Sequence, residues 1–277
     1  MVTDCRIRVV RKTRFVRRAT VAVLTWFWLG CAFPQAPANR ARTPDGHPDL
    51  SGIWQVLNTA NWNLEGHAAA PGLMIPLGAI GAVPPGLSVV DGGSIPYLPE
   101  AAAKKKENFA RRLELDPEVK CYLPGVPRAT YMPYPFQIVQ SQKQILISYQ
   151  YASAVRAINM ENHKKAPIDS WMGWSNGRWE GDTLVVDVTG LNDETWLDRS
   201  GNFHSDALHV VERYTPHSPD TMRYEATIED PKVFSRPWKI SMILYRHDEE
   251  NAQLLEFKCV EFVEELMYGH LKKKPSQ

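Results

Sequence analysis

Met222-Arg223-Tyr224-Glu225-Ala226-Thr227-Ile228 decides the fold: Met222, Tyr224, Ala226 and Ile228 alternate with Arg223, Glu225 and Thr227. Successive side chains of a strand point to opposite faces, so this period of two reads as a strand with one apolar and one polar face. The same period recurs outward along the chain. Ile145, Ile147, Tyr149 and Tyr151 alternate with Leu146, Ser148 and Gln150, and Leu184, Val186 and Val188 with Thr183, Val185 and Asp187. Trp238, Ile240, Met242 and Leu244 alternate with Lys239, Ser241 and Ile243, and Leu255, Phe257 and Cys259 with Leu254, Glu256 and Lys258. Turn chemistry separates the runs at Ser141-Gln142-Lys143, Glu180-Gly181-Asp182, Ser218-Pro219-Asp220 and Asp248 to Asn251. Connections this short join antiparallel neighbours, because a parallel pair needs a crossover. The expectation is a mainly β chain, an antiparallel meander forming a lipocalin-like barrel or a sandwich. A helix is expected near 97–116, with Ala102, Lys106, Phe109 and Leu113 on one face and Pro117 just beyond its end. A short C-terminal helix is expected within Val260 to Leu271, packing Val263, Met267 and Leu271.

The first 38 residues read as a signal peptide. Seven Lys and Arg residues between Arg6 and Arg18 precede an apolar run from Ala19 to Phe33, and Ala36-Pro37-Ala38 offers a cleavage site. The run is shorter than the roughly 20 residues a membrane-spanning helix needs. A periplasmic or secreted protein is expected, and Leu29-Gly30-Cys31 leaves open a lipoprotein anchored at Cys31. Taking those seven bases and Asp4 from 32 basic and 31 acidic residues leaves 25 and 30, a net charge near −5. Nucleic acid as a partner is thereby excluded, since it calls for a basic footprint. Membrane contact is expected only through the signal or a lipid at Cys31. The mature chain divides into a Pro/Gly-rich irregular segment, 39–96, and a helix plus antiparallel β domain, 97–277. Export leaves Cys121 and Cys259 as a candidate disulfide, with two buried free thiols as the alternative.

Chemistry concentrates in two stretches. Gly190 to Ser205 interleaves acids, aromatics and a histidine between two strands. His204 is a candidate acid/base group, with Asp193 or Asp198 to orient it. Glu212 shares the apolar strand face of Leu208, Val210 and Tyr214, so it either lines a pocket or pairs with an arginine. The second stretch, Asp169 to Trp179, holds Trp171 and Trp174, which with Trp196 and Tyr214 are candidate ligand-binding residues; a hydrophobic plug at one barrel end is the other reading. No G-x-S-x-G, G-x-G-x-x-G, G-x-x-x-x-G-K-[ST] or H-E-x-x-H occurs, and His47, His67 and His163 are scattered. No cofactor and no metal are expected.

Thr43-Pro44-Asp45-Gly46-His47-Pro48-Asp49-Leu50-Ser51-Gly52-Ile53-Trp54, Gly125-Val126-Pro127-Arg128, and Gly177-Arg178-Trp179-Glu180-Gly181-Asp182-Thr183-Leu184-Val185-Val186-Asp187 resemble a large family of secreted bacterial proteins of unassigned function. The resemblance spans about residues 43–265 and implies no reaction. Members of that family often carry Cys-His-Glu where this chain reads Cys259-Val260-Glu261, so no role for that histidine carries over. Gly52-Ile53-Trp54 also resembles the Gly-x-Trp of lipocalin-like barrels, which implies an indole packed across the barrel floor. Two functions remain open. One is an exported enzyme using acid/base catalysis, of isomerase, lyase, hydratase or cyclase type, on a hydrophobic small molecule. The other is a periplasmic or envelope protein that binds an apolar ligand without changing it.

Overall fold

The computed structural model describes residues 41–72 and 75–271. The expected signal peptide, its expected cleavage site and the lipid anchor considered at Cys31 lie outside the described residues. Among the described residues the chain forms β1 (Gly52–Val56), β2 (Phe136–Gln140), β3 (Gln144–Tyr149), β4 (Val155–Asn159), β5 (Trp174–Glu180), β6 (Thr183–Thr189), β7 (His209–Pro216), β8 (Thr221–Glu229) and β9 (Trp238–Arg246). These close into a barrel in chain order. The tight turn from β5 to β6 follows from Gly181, whose φ of +59° is open to glycine at little cost.

The seam is made by β1, which pairs with β2 through Ile53↔Gln137 and with β9 through Gln55↔Tyr245. The Pro/Gly-rich segment 39–96, expected to be irregular, thus contributes a strand where Gly52-Ile53-Trp54 stands. Beyond β1 the segment goes on to serve the sheet: the Asp91 N–H donates to the Lys239 carbonyl at 2.8 Å, and the Ser241 N–H to the Val89 carbonyl at 2.9 Å. One end of β9 is therefore bonded to β1 and the other to residues 89–91. The expected strand at 255–259 does not form, and that stretch has no regular structure. With the edge of β9 occupied, its alternating residues have no strand to pair with. The meander departs from antiparallel at one place. β4 and β5 run parallel through Ile158↔Ser175, and residues 160–173 make the return crossing that parallel pairing demands.

The expected helix near 97–116 forms as α1 (Pro99–Ala110) and α2 (Arg112–Leu115), broken at Arg111. Proline at the first helical position is preorganised for that role. The face it buries differs from the expected one: Ala101 and Asn108 are buried, whereas Phe109 is 46% exposed. The reason is Gly201, whose φ is +80° and whose missing Cβ would lie 2.8–2.9 Å from Asn108 and the Phe109 backbone. The loop backbone thus comes close to α1 at Asn108, whose Nδ2 donates to the Gly201 carbonyl at 3.3 Å. α3 (Arg128–Tyr131) is buried throughout. α4 (Val263–Tyr268) and a 3-10 turn, Gly269–Leu271, end the described chain, but Val263, Met267 and Leu271 are exposed instead of packed. Cys121 and Cys259 are joined by a disulfide that ties this terminal stretch to the segment before α3.

The barrel interior is filled by side chains such as Phe136, Ile147, Ile158, Val186, Val210 and Ile240, each 1% exposed or less. Trp54 is buried, donating from Nε1 to the Leu50 carbonyl at 2.9 Å, and the Arg246 guanidinium stacks over its ring at 4.3 Å. Across this apolar interior runs one ion pair, Arg156 with Glu212. Arg156 also donates from Nε to Ser175 Oγ at 2.8 Å, while Glu212 Oε1 accepts the hydroxyls of Tyr214 at 3.0 Å and Tyr224 at 2.8 Å. Of the two fates expected for Glu212, pairing with an arginine is the one observed. Breaking a buried pair by removing one partner leaves a desolvated charge. Arg156→Met should therefore lower stability by about 3–5 kcal/mol, read from the urea midpoint at pH 7. A loss below about 1 kcal/mol would show that the pair contributes no more than a surface contact.

Candidate functional site

The loop 190–205 packs inward. Thr195, Trp196, Leu197, Asp198, Asn202, Phe203 and His204 are all buried, and Asp193 is exposed. Asp198 acts as a hub for backbone donors, accepting the N–H groups of Leu64 at 2.9 Å, Ser200 at 2.8 Å and Asn202 at 3.3 Å, and Asn202 Nδ2 at 2.5 Å. Burial raises its carboxyl to about 6 despite those donors, which favour the charged form. His204 places Nδ1 3.0 Å from the Ser205 carbonyl, so that nitrogen carries the hydrogen. Nε2 then accepts the Thr195 hydroxyl at 2.6 Å. Burial lowers the imidazole below its ordinary value, so it is neutral at pH 7. The expected orientation of His204 by Asp193 or Asp198 is therefore corrected, because a hydroxyl and a carbonyl take both ring nitrogens.

The expected aromatic set is likewise dispersed. Trp171 packs edge-on against Tyr122 at 4.7 Å, and Trp174 is half-buried at the start of β5. Trp196 is bridged to Phe203 beside His204, and Tyr214 lies inside the barrel on Glu212. Trp196 lines a narrow crevice with Thr195, Tyr122 and Met132, and none of the four lines the two larger clefts around Arg199.

Two adjoining clefts lie outside the barrel. The first, about 170 Å³, has walls from Trp62, His67, Val83, Phe109 and Val119, with Asp116 and Arg199 also on its lining. The second, about 310 Å³, lies between Tyr134, Tyr151 and the terminal stretch of Phe257, Phe262 and Val263. Val119, Arg199 and Glu264 belong to both.

Beneath them is a network of charged side chains that the sequence reading did not single out. Asp116 precedes Pro117, which holds it extended and ends α2. Its Oδ1 accepts the Glu118 N–H at 2.9 Å, a local turn bond, and Arg128 Nη1 at 3.3 Å. Glu118 receives Arg199 through Nε at 2.8 Å and Nη2 at 2.5 Å, a bidentate pair, and also Arg128 Nη2 at 2.6 Å. Arg128 completes its bonding with Asn61 Oδ1 at 2.9 Å, and the Arg199 guanidinium lies 4.5 Å over the Trp62 ring. Burial alone would raise Glu118; the charge and hydrogen bonds of Arg199, with Arg128, outweigh it and bring the carboxyl to about 2. Asp116 has the weaker share of the arginines, and burial raises it above its ordinary value. His67 places Nδ1 2.9 Å from the Glu65 carbonyl, so its Nε2 carries the lone pair.

Neither the protein-family models nor the curated proteins compared with the chain give a match.

Glu118 titrates near 2 when folded and near 4.5 when not, so its contribution is complete above about 4.5 and lost as the pH falls through about 2. Asp198 has the opposite sign: raised from 3.8 to about 6, it favours the fold at low pH, and that contribution is lost as the pH rises through about 6. Melting temperature measured between pH 7 and pH 2 should therefore fall on the acid side of about 4.5, and Glu118→Gln should flatten that limb. An acid limb unchanged in Glu118→Gln would place its origin elsewhere.

Proposed function

We propose that the protein is exported and binds an apolar small molecule in the cleft walled by Trp62, Phe109 and Val119. The observation that carries this reading is the cleft's composition. Aromatic and aliphatic side chains from the 62–83 segment, α1 and Val119 supply most of its exposed surface, although half of its lining residues, among them His67, Arg112, Asp116 and Arg199, are polar or charged. Pockets for small ligands have this character; the cleft's own volume of about 170 Å³ is small, and with the adjoining 310 Å³ the space falls within the roughly 300–1,000 Å³ such sites occupy. Export is supported by the signal-like first 38 residues, and the Cys121–Cys259 disulfide suits an oxidising compartment. A hydrophobic small molecule is thus the partner proposed. The site lies outside the barrel, since packed side chains fill the interior. Acid/base chemistry by His204, Asp193, Asp198 or Glu212 receives less support: His204, Asp198 and Glu212 are buried in satisfied networks, and Asp193 faces solvent.

N-phenyl-1-naphthylamine, a neutral apolar fluorophore, tests the reading when titrated into the purified protein. Emission should rise and saturate at one site, and Trp62→Ala should weaken the affinity about tenfold, the effect of losing one central aromatic contact of about 1.4 kcal/mol. Trp171→Ala should leave it unchanged. Emission that never saturates, or equal affinity in Trp62→Ala, would remove the cleft from consideration.

A further inference from the structure

We infer that Asp116 is the proton-transferring carboxyl of this cleft and that the ligand is an apolar molecule with an acidic C–H bond, which the protein isomerises or opens by elimination. The inference rests on the cleft reading above and adds chemistry to it.

Position comes first. Asp116 is on the lining of the apolar cleft, yet its side chain is only 5% exposed. Both of its hydrogen bonds fall on Oδ1, and among the described residues Oδ2 takes none. One oxygen is thus fixed by the backbone and Arg128 while the other is uncommitted, on a residue that lines the ligand space.

Charge count comes second. Three carboxyls, Asp116, Glu118 and Asp198, share the region with two guanidinium groups, Arg128 and Arg199, which leaves one negative charge in excess. At the rim, Arg112 lies over the Phe109 ring and Glu264 acts on Arg199, so one positive and one negative group leave this count unchanged. A buried excess charge is relieved by taking up a proton. Glu118 is held ionised by its arginines, and Asp198 is enclosed by N–H donors away from the cleft. Of the three, Asp116 alone can exchange its proton with a bound ligand. Burial raises this carboxyl, which increases its strength as a base when ionised.

The step balances without a co-reactant. The ionised Oδ2 takes a proton from a substrate carbon, and the C–H electron pair moves into the adjacent bond. Return of that proton to another carbon completes an isomerisation, and expulsion of a leaving group completes an elimination.

5-Nitrobenzisoxazole reads this chemistry. A carboxylate removes its ring C–H proton, the freed pair forms a nitrile, the N–O bond breaks and the electrons leave on a phenolate oxygen whose absorbance is followed. The purified protein should accelerate ring opening above buffer. Asp116→Asn, which keeps an oxygen for the Glu118 N–H, should slow it about 100-fold or more, the usual share of a general base. Trp62→Ala should mainly raise KM. In the unmodified protein the rate should climb with pH through one ionisation lying above the ordinary aspartate value of about 4. The variant's fold is checked by its melting curve and circular dichroism. A natively folded Asp116→Asn with full activity overturns the inference. So does an unmodified protein that binds N-phenyl-1-naphthylamine but gives no acceleration or no ionisation step; this needs no variant and leaves the binding reading standing. Failure of both probes to bind overturns the two readings together.

Discussion

The pairing of β1 with β9 governs the rest of the molecule. An open sheet would leave backbone donors and acceptors exposed at two edges. Here five residues, Gly52–Val56, join β2 on one side and the end of β9 on the other, and residues 89–91 bond β9 at Lys239 and Ser241. With no free edge, every later part of the chain must pack as something other than a strand of this sheet. That constraint leaves 255–259 irregular and α4 on the surface. It also commits the polar loop 190–205 to satisfying its own backbone, through Asp198 and Asn202.

Charge is partitioned accordingly. Inside the barrel, Arg156 and Glu212 are matched one to one, and the tyrosine hydroxyls occupy Glu212 Oε1. Such a pair is costly to break and adds little net stability over an apolar pair of the same volume, so its physical role is to fix which strands face each other across the interior. Outside the barrel the match is unequal. Glu118 collects two arginines while Asp116 shares one of them at 3.3 Å. Equal pairing suits structure, and unequal pairing leaves a group whose protonation can change.

The β character was readable because each long strand has two unlike faces. Met222–Ile228 and Trp238–Leu244 show it plainly, and both are strands of the barrel. β1 was readable only through the likeness of Gly52-Ile53-Trp54 to a barrel's Gly-x-Trp, since five residues beside Gly and Pro carry too little periodicity. The parallel pairing of β4 with β5 was hidden for another reason: strand direction is set by the path of 160–173, which local pattern does not record. Alternation at 255–259 misled, because a two-faced sequence becomes a strand only where an edge is available. The candidate site was less readable still. Loop 190–205 was found by its density of polar residues, but that density serves backbone donors. The pairing of Asp116 and Glu118 with Arg128 and Arg199 escaped notice because Glu118 meets Arg199 across 81 positions. The nearest local signal was the Asp-Pro-Glu turn at 116–118, which reads as a helix stop and says nothing of arginines.

Where a hollow can exist follows from the same geometry. A barrel of about eight strands has an interior just wide enough for its own side chains to fill. Here tyrosines, isoleucines and an ion pair occupy it. Space for a ligand then arises where irregular chain lies against the barrel's surroundings and cannot interdigitate as regularly as sheet faces do. The 62–83 segment, α1, residues 116–119 and the disulfide-tied terminus meet in such a place, around Arg199. Rigid closure of the sheet and an imperfectly filled cleft beside it are thus two results of one topology. The barrel and the Glu118–Arg199 pair fix the floor, while the walls are drawn from segments free to vary without disturbing the strands.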